Sequence, residues 1–392
     1  MRVVDCMCFA GGLTWSFTDT GFELVAKREN YGGFGVPIVE ANRHLLGNKW
    51  ETEVCAPGNW TPVQADVVIG NPPCSGFSCL NSSSTRGIDS PVNQCMVDFV
   101  GYAARCLPTI VVMESVQQAY SGGRELMVRL RDKIEELTGF KYGITHALHS
   151  VAALGGSQLR RRYFLVLSRV PFGVDEREVT YCKSGLSFIT DLMDHELAWD
   201  TFPDGHMIAG TSRAKRINKL LQVEPWAQGE QIGYPLDRVF DRGGIDAVEA
   251  LGFQIGTVIS SIVDSELGSP YATRRVRPDR LWPTITGASI SNQVHPILDR
   301  TITYREAARL MGFPDDWTVK PCNGHRDGHK WFGKGVTTFA GRWIAKMAMA
   351  ALKGNPFPVQ GEEIGERERL VNVSNLFVKP PSAGGSDDDA GE

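Results

Sequence analysis

The sequence predicts an α/β fold: a mostly parallel sheet with helices packed on it, joined to a smaller region of different texture. Three observations carry this. Short β-branched apolar runs recur at residues 2–5, 66–69 and 109–113, suited to buried strands and too short for buried helices. Stretches with apolar residues at helical spacing follow the later two, at 94–105 and 125–138. Each run also leads into residues of distinctive chemistry, Gly11-Gly12, Cys74 and Glu114, near the strand ends where open α/β sheets collect ligands.

In chain order, Arg2-Val3-Val4-Asp5 is the first strand, and Cys6-Met7-Cys8-Phe9-Ala10-Gly11-Gly12-Leu13-Thr14 turns from it into a helix. Such a strand–turn–helix unit opens a Rossmann-like fold, with backbone N–H groups at the helix start facing a ligand. Two glycines alone suit an ordinary turn equally well. Residues 22–26 read as a second strand, and Glu29 beyond it suits either ribose hydroxyls or a solvated surface. A helix is expected over 38–46, ended by Gly47. In the turn Gly58-Asn59-Trp60-Thr61, Trp60 could stack on an adenine or pack in the core.

The strand at 66–69 runs into Gly70-Asn71-Pro72-Pro73-Cys74-Ser75-Gly76-Phe77-Ser78. Two prolines stop the strand and stiffen the turn, which is how a nucleophilic thiol would be presented. For an isolated cysteine, a small buried residue is the ordinary reading. Residues 79–92 are rich in Ser, Asn and Gly and read as a mobile loop over the site. The strand at 109–113 delivers Glu114 to the edge that carries Asp5 and Cys74. A surface helix is expected over 125–138, then a strand pair whose second member, 162–167, is preceded by Gln158-Leu159-Arg160-Arg161-Arg162. A helix over 337–352 should pack back on the first strand.

Bulk properties allow this reading without sharpening it. The 392 residues suffice for one large domain and a smaller one. A net charge of −4 does not advertise nucleic acid, although a basic cleft can sit in an acidic molecule. Nine scattered cysteines without a Cys-x-x-Cys pair suggest reduced thiols. No apolar run spans a bilayer, so a soluble cytoplasmic protein is expected, in a bacterium or a phage-infected cell. His325 and His329 lack partners at metal-ligand spacing, and no metal site is expected.

The motifs together resemble those of DNA (cytosine-5) methyltransferases. Pro73-Cys74 resembles the family's nucleophile motif, Glu114-Ser115-Val116 its Glu-Asn-Val, and Gln158-x-Arg160-x-Arg162 its Gln-x-Arg-x-Arg. The stretch from Arg300 to Pro314 is close to its ninth motif, and Phe332-Gly333-Lys334-Gly335-Val336 stands where Gly-Asn-Ala-Val would be. Five matches run in the family's order. The resemblance implies a Rossmann-like class I methyltransferase fold with a smaller target-recognition domain. It divides the chain into a catalytic domain (1–184), a target-recognition region (185–280), a C-terminal part of the catalytic domain (281–356) and a tail (357–392), acidic and disordered at its end.

The same resemblance implies roles. The Cys74 thiolate would add to C6 of a flipped cytosine, Glu114 would bind N3 and the exocyclic amine, and Arg160 would hold O2. Arg162 would order the loop or bind phosphate. S-adenosylmethionine would lie on Asp5, Phe9, Ala10, Gly11, Gly12, Leu13, Glu29, Asn59, Trp60, Asn71, Pro72, Lys334, Gly335 and Val336. Double-stranded DNA would meet Ser75, Ser78, Gln158, Arg213, Lys215, Arg216 and Arg300, with the enzyme a monomer on it. Some relatives act on tRNA with the same motifs; the length of the recognition region leans towards DNA.

Several positions depart from the family pattern. Phe9 replaces the first glycine of Phe-x-Gly-x-Gly, Asn59 an aspartate, Ser115 an asparagine and Lys334 an asparagine beside the cofactor. A lysine a few Å from a sulfonium costs on the order of a few kcal/mol at an effective dielectric near 20. Lys334 would therefore point to solvent, pair with a carboxylate, or serve an anionic transferred group, as in carboxy-S-adenosylmethionine, giving 5-carboxymethylcytosine.

Overall fold

Alternation of apolar side chains on both faces builds the centre of the sheet. In β4 (Val67–Gly70) and β5 (Ile110–Ser115) every residue is buried. Val67, Ile69, Ile110 and Val112 join the core on one face, while Val68, Val111 and Met113 join that on the other. Each such side chain contributes roughly 1.5–3 kcal/mol when fully buried, and a strand apolar on both faces is stable only with helices on both sides. The computed structural model describes residues 1–30, 32–78, 87–175, 184–192, 274–276, 278, 281–287, 293–296, 302–322, 328–359 and 361–373. Arg213, Lys215, Arg216, Arg300 and most of the expected target-recognition region lie outside them.

The sheet has nine strands in the order β10-β11-β6-β7-β5-β4-β1-β2-β3. These are β1 (Arg2–Cys6), β2 (Glu23–Glu29), β3 (Glu51–Val54), β4, β5, β6 (Gly143–Ser150), β7 (Arg161–Ser168), β10 (Glu362–Gly365) and β11 (Glu368–Val373). The two-residue strands β8 (Arg274–Arg275) and β9 (Gln293–Val294) pair separately. Within the large sheet β7 runs antiparallel to β5 and β6, and β10 to β11; the other pairs are parallel. The mostly parallel α/β Rossmann-like fold agrees with the expectation.

Among the described residues the helices are α1 (Gly12–Asp19), α2 (Val36–Ala41), α3 (Arg43–Leu46), α4 (Gln94–Cys106), α5 (Gln118–Ser121), α6 (Arg124–Thr138), α7 (Tyr304–Leu310), α8 (Gly328–Lys334) and α9 (Thr338–Leu352). Phe99, Met127, Leu130 and Ile134 of α4 and α6 cover one face; Leu13, Phe17, Ile344 and Ala348 of α1 and α9 cover the other. The last helix therefore closes the domain against α1, where Ser16 Oγ donates to Gly12 O and approaches Thr338 O at 3.2 Å.

Three elements differ from the sequence reading. The helix expected over 38–46 is split at Asn42, whose amide donates to Ile38 O (2.7 Å) and Thr318 O (3.0 Å). Residues 328–334, around His329, form a helix that the sequence reading did not include. The larger difference is β10–β11, which extends the sheet from a segment expected to be tail. Its Glu-Arg-rich sequence hides a strand because buried Glu368 is satisfied by partners remote in sequence: it accepts from Arg124 at the start of α6 at 2.7 and 2.8 Å and lies 2.7 Å from Nε2 of His146 on the neighbouring β6. Val371 and Val373 supply its apolar share.

Candidate active site

Parallel β1, β2, β4 and β5 end at one edge of the sheet, and antiparallel β7 begins there, so topology alone gathers Asp5, Glu29, Cys74, Glu114 and Arg162. Beyond β4, Asn71 N–H still donates to Cys6 O (3.1 Å) before the prolines free the chain. Cys74 then opens a tight turn in which Phe77 N–H donates to its carbonyl at 3.0 Å, and Ser75 and Ser78 lie half-buried on that turn. The Cys74 thiol is half-buried. Burial and then the Glu114 charge push it above the usual thiol range, opposed by Arg162, the Val116 N–H and Arg160.

Glu114 is buried, with 2% exposure. Asn71 Nδ2 donates to its Oε2, and Arg162 Nε stands 3.3 Å from Oε1. Oε1 has no hydrogen-bond partner, which leaves an acceptor for something further. Burial pushes the carboxyl up to about 7 against the opposing charges of Arg162 and Arg160. Because its ordinary value is 4.5, the unfolded chain releases this proton at lower pH than the folded one. Folded-state stability is therefore lost as pH rises from about 4.5 towards 7. Glu114→Gln removes the titration, so its melting temperature relative to the parent should rise between pH 5 and pH 8, by at least about 2 °C, as measured calorimetrically.

The two arginines divide their work differently from the expectation. Arg160 is 1% exposed and spends its guanidinium on backbone carbonyls: Ile285 (2.9 Å), Gly333 (3.3 and 3.4 Å) and Gly335 (2.6 Å). Arg162 is the one beside Glu114. Gln158, expected at the DNA, is wholly buried; its amide donates to Leu310 O (2.7 Å) and accepts from Ile285 N–H (3.3 Å). Arg160 and Gln158 therefore tie β7 to the last third of the catalytic region. Trp60 also needs correction: it is 0% exposed, donates to Glu29 O and Cys55 O, and meets Tyr102 edge-on. A ring without exposed surface packs in the core and cannot take an adenine. Asn59, next to it, is exposed on a turn. Arg213, Lys215, Arg216 and Arg300 lie outside the described residues.

The glycine-bearing turn is close-packed. Phe9 adopts φ 47°, a left-handed conformation that explains why glycine suits this position. Its carbonyl lies so near Gly35 that a Cβ there would come within 2.1 Å. A Cβ on Gly12 would meet Val336 O at 2.0 Å, which brings the start of α1 against Gly335-Val336. Lys334, exposed at the end of α8, places its ammonium 4.9 Å from the Phe34 ring centre and 5.9 Å from that of Phe9. Asp5 Oδ1 and Asn71 Oδ1 are buried oxygens without hydrogen-bond partners. With Glu29 they form an acceptor-rich edge that fits a ligand carrying hydroxyls and a cationic amine. Sequence reasoning missed Lys27, which lies among these groups; a lysine directly after apolar Leu24-Val25-Ala26 was the available signal.

The family model for C-5 cytosine-specific DNA methylases matches residues 1–349. The chain belongs to that family. This methylase is thus a transferase that uses S-adenosylmethionine and acts on DNA. It is similar to the type II methyltransferase M.DdeI of Desulfomicrobium norvegicum, at 23% identity over 97% of this chain and 92% of that protein. It is also similar to M.FnuDI of Fusobacterium nucleatum, at 24% identity over 88% and 93%. Among solved structures, the methyltransferase EhMeth of Entamoeba histolytica shares the fold, with a TM-score of 0.51 at 12% identity over 90% of this chain and 98% of that one. The methylase fold is accordingly of the class I methyltransferase type. No described helix of the methylase is long and apolar enough to cross a membrane.

Proposed function

We propose that this enzyme transfers a methyl group to C5 of a flipped cytosine in double-stranded DNA, with Cys74 as nucleophile. The observation that carries this reading is the Asn71–Glu114–Arg162 array at the strand edge that also presents Cys74. C5 of cytosine is a poor nucleophile until a thiolate adds to C6. Once the methyl group has moved to C5 and S-adenosylhomocysteine has left, the C5 proton must pass to a base and the Cys74–C6 bond must break to release 5-methylcytosine. Glu114, neutral below about pH 7, donates to N3 as negative charge develops on the ring, and Asn71 holds that carboxyl in place. Arg162 takes O2 of the base, the part first expected of Arg160. Removing the Glu114 charge also lifts one of the influences that keeps Cys74 protonated, so base binding and thiolate formation reinforce each other. S-adenosylmethionine, when bound, supplies a sulfonium-activated carbon; Asp5, Glu29, the Gly11-Gly12 turn and Gly335-Val336 would hold it. Residues 1–184 and 281–373, β10 and β11 included, serve as the catalytic domain, and 185–280 reads the target, in keeping with a role in restriction–modification like that of type II methyltransferases.

Lys334 favours a second reading, transfer of a carboxymethyl group from carboxy-S-adenosylmethionine. Its ammonium lies over the rings of Phe9 and Phe34, a cation–π contact beside the glycine-bearing turn. Mass spectrometry of nucleosides from DNA incubated with the enzyme and each cofactor separates the readings. The expected product is 5-methylcytosine, unchanged in Lys334→Asn. An acidic cytosine derivative that disappears in Lys334→Asn would favour the second reading, and modification of tRNA but not DNA would overturn both.

A further inference from the structure

One buried lysine takes no part in the chemistry proposed above. Lys27 of β2 pairs in register with Asp5 of β1, and its side chain is wholly buried. Its ammonium lies 3.1 Å from Asp5 Oδ2 and 3.4 Å from Glu29 Oε1. Thr14 Oγ1 donates to the same Asp5 oxygen at 2.5 Å, and the Phe9 N–H supports the Glu29 carboxylate. Lys27 and Glu29 are two residues apart on a strand and so share a face.

The cluster is a poor device for stability. Two carboxylates and one ammonium are withdrawn from water, and buried ion pairs often do no better than apolar residues of similar volume. It also leaves an acceptor excess, visible in the unpartnered Asp5 Oδ1. That excess suits hydroxyl donors arriving from outside. Burial pushes Glu29 up to about 7, with Lys27 the largest opposing influence. Burial likewise works against the lysine's charge, yet Asp5 and Glu29 outweigh it and hold Lys27 above its ordinary range.

We propose that Lys27 is a positioning residue for cofactor binding: anchored on Asp5, it orients the Glu29 carboxylate to accept the ribose hydroxyls of S-adenosylmethionine. This rests on reading Glu29 as the ribose acceptor. Calorimetric titration of the full chain with S-adenosylhomocysteine tests both, with thermal melts to establish folding. Glu29→Gln and Lys27→Met should each weaken binding about tenfold or more, and the double variant should be no weaker than the worse single variant within about twofold, because Lys27 acts through Glu29. Lys27→Gln, which keeps a donor for Asp5, gives the same comparison if the methionine variant does not fold. Losses that multiply in the double variant would overturn the proposal, as would undiminished binding by the lysine variants while Glu29→Gln binds weakly. No effect of Glu29→Gln would instead overturn the ribose reading on which it stands.

Discussion

Cys74→Ala should form no modified cytosine, a loss on the order of 10⁴-fold or more, while the fold and S-adenosylhomocysteine binding persist. The thiol is half-buried on a turn that is stiffened by Pro72 and Pro73 and closed by the Phe77 N–H, so removing one sulfur leaves that turn standing. Its burial-raised proton affinity adds a further expectation. Single-turnover rates should rise with pH as thiolate forms and level off near pH 7, where Glu114 begins to lose the proton it donates to N3 and the two changes offset each other. A Cys74→Ala enzyme that still modifies cytosine, in the nucleoside assay, would remove covalent addition from the mechanism.

Arg160→Ala should be the most destabilising single change among the site residues, costing about 3–5 kcal/mol in denaturant unfolding. The guanidinium serves three carbonyls from two segments, Ile285 on one side and Gly333 and Gly335 on the other. Truncation leaves those acceptors buried, and a lysine ammonium cannot reproduce the planar fork that reaches them. Activity should fall with folding, because Gly335-Val336 packs on the start of α1. Arg162→Ala should behave oppositely. Its side chain is 19% exposed and its charged partner is Glu114, so catalysis should drop while stability stays near the parent's. Equal destabilisation by the two variants would show that the division of labour drawn here is mistaken.

Much of this was legible in the sequence, for local reasons. Short apolar β-branched runs marked β1, β4 and β5, because such a run is satisfied only between two helical layers. Prolines after β4 marked where the strand releases Cys74, and the order of motifs marked the family. Strands held by charge were not legible: β3 has Glu-Thr-Glu-Val at a sheet edge, and β11 depends on Glu368 meeting His146 and Arg124, residues more than 200 positions away. Amphipathic periodicity cannot report a partner that distant.

The sequence by itself determined the fold class, and it set Cys74 and Glu114 at successive strand ends; the roles proposed for them, nucleophile and base-facing carboxyl, come from the motif resemblance. Only the tertiary structure decided which arginine lies beside Glu114, that Gln158 and Trp60 are buried, and that Lys27 joins Asp5 to Glu29. A spacing of two would put Gln158, Arg160 and Arg162 on one face of a strand, but Gln158 and Arg160 precede β7, and what they meet is brought there by α7, α8 and the segment around Ile285. A spacing such as Gln-x-Arg-x-Arg names the residues; the packing of remote segments assigns their hydrogen bonds.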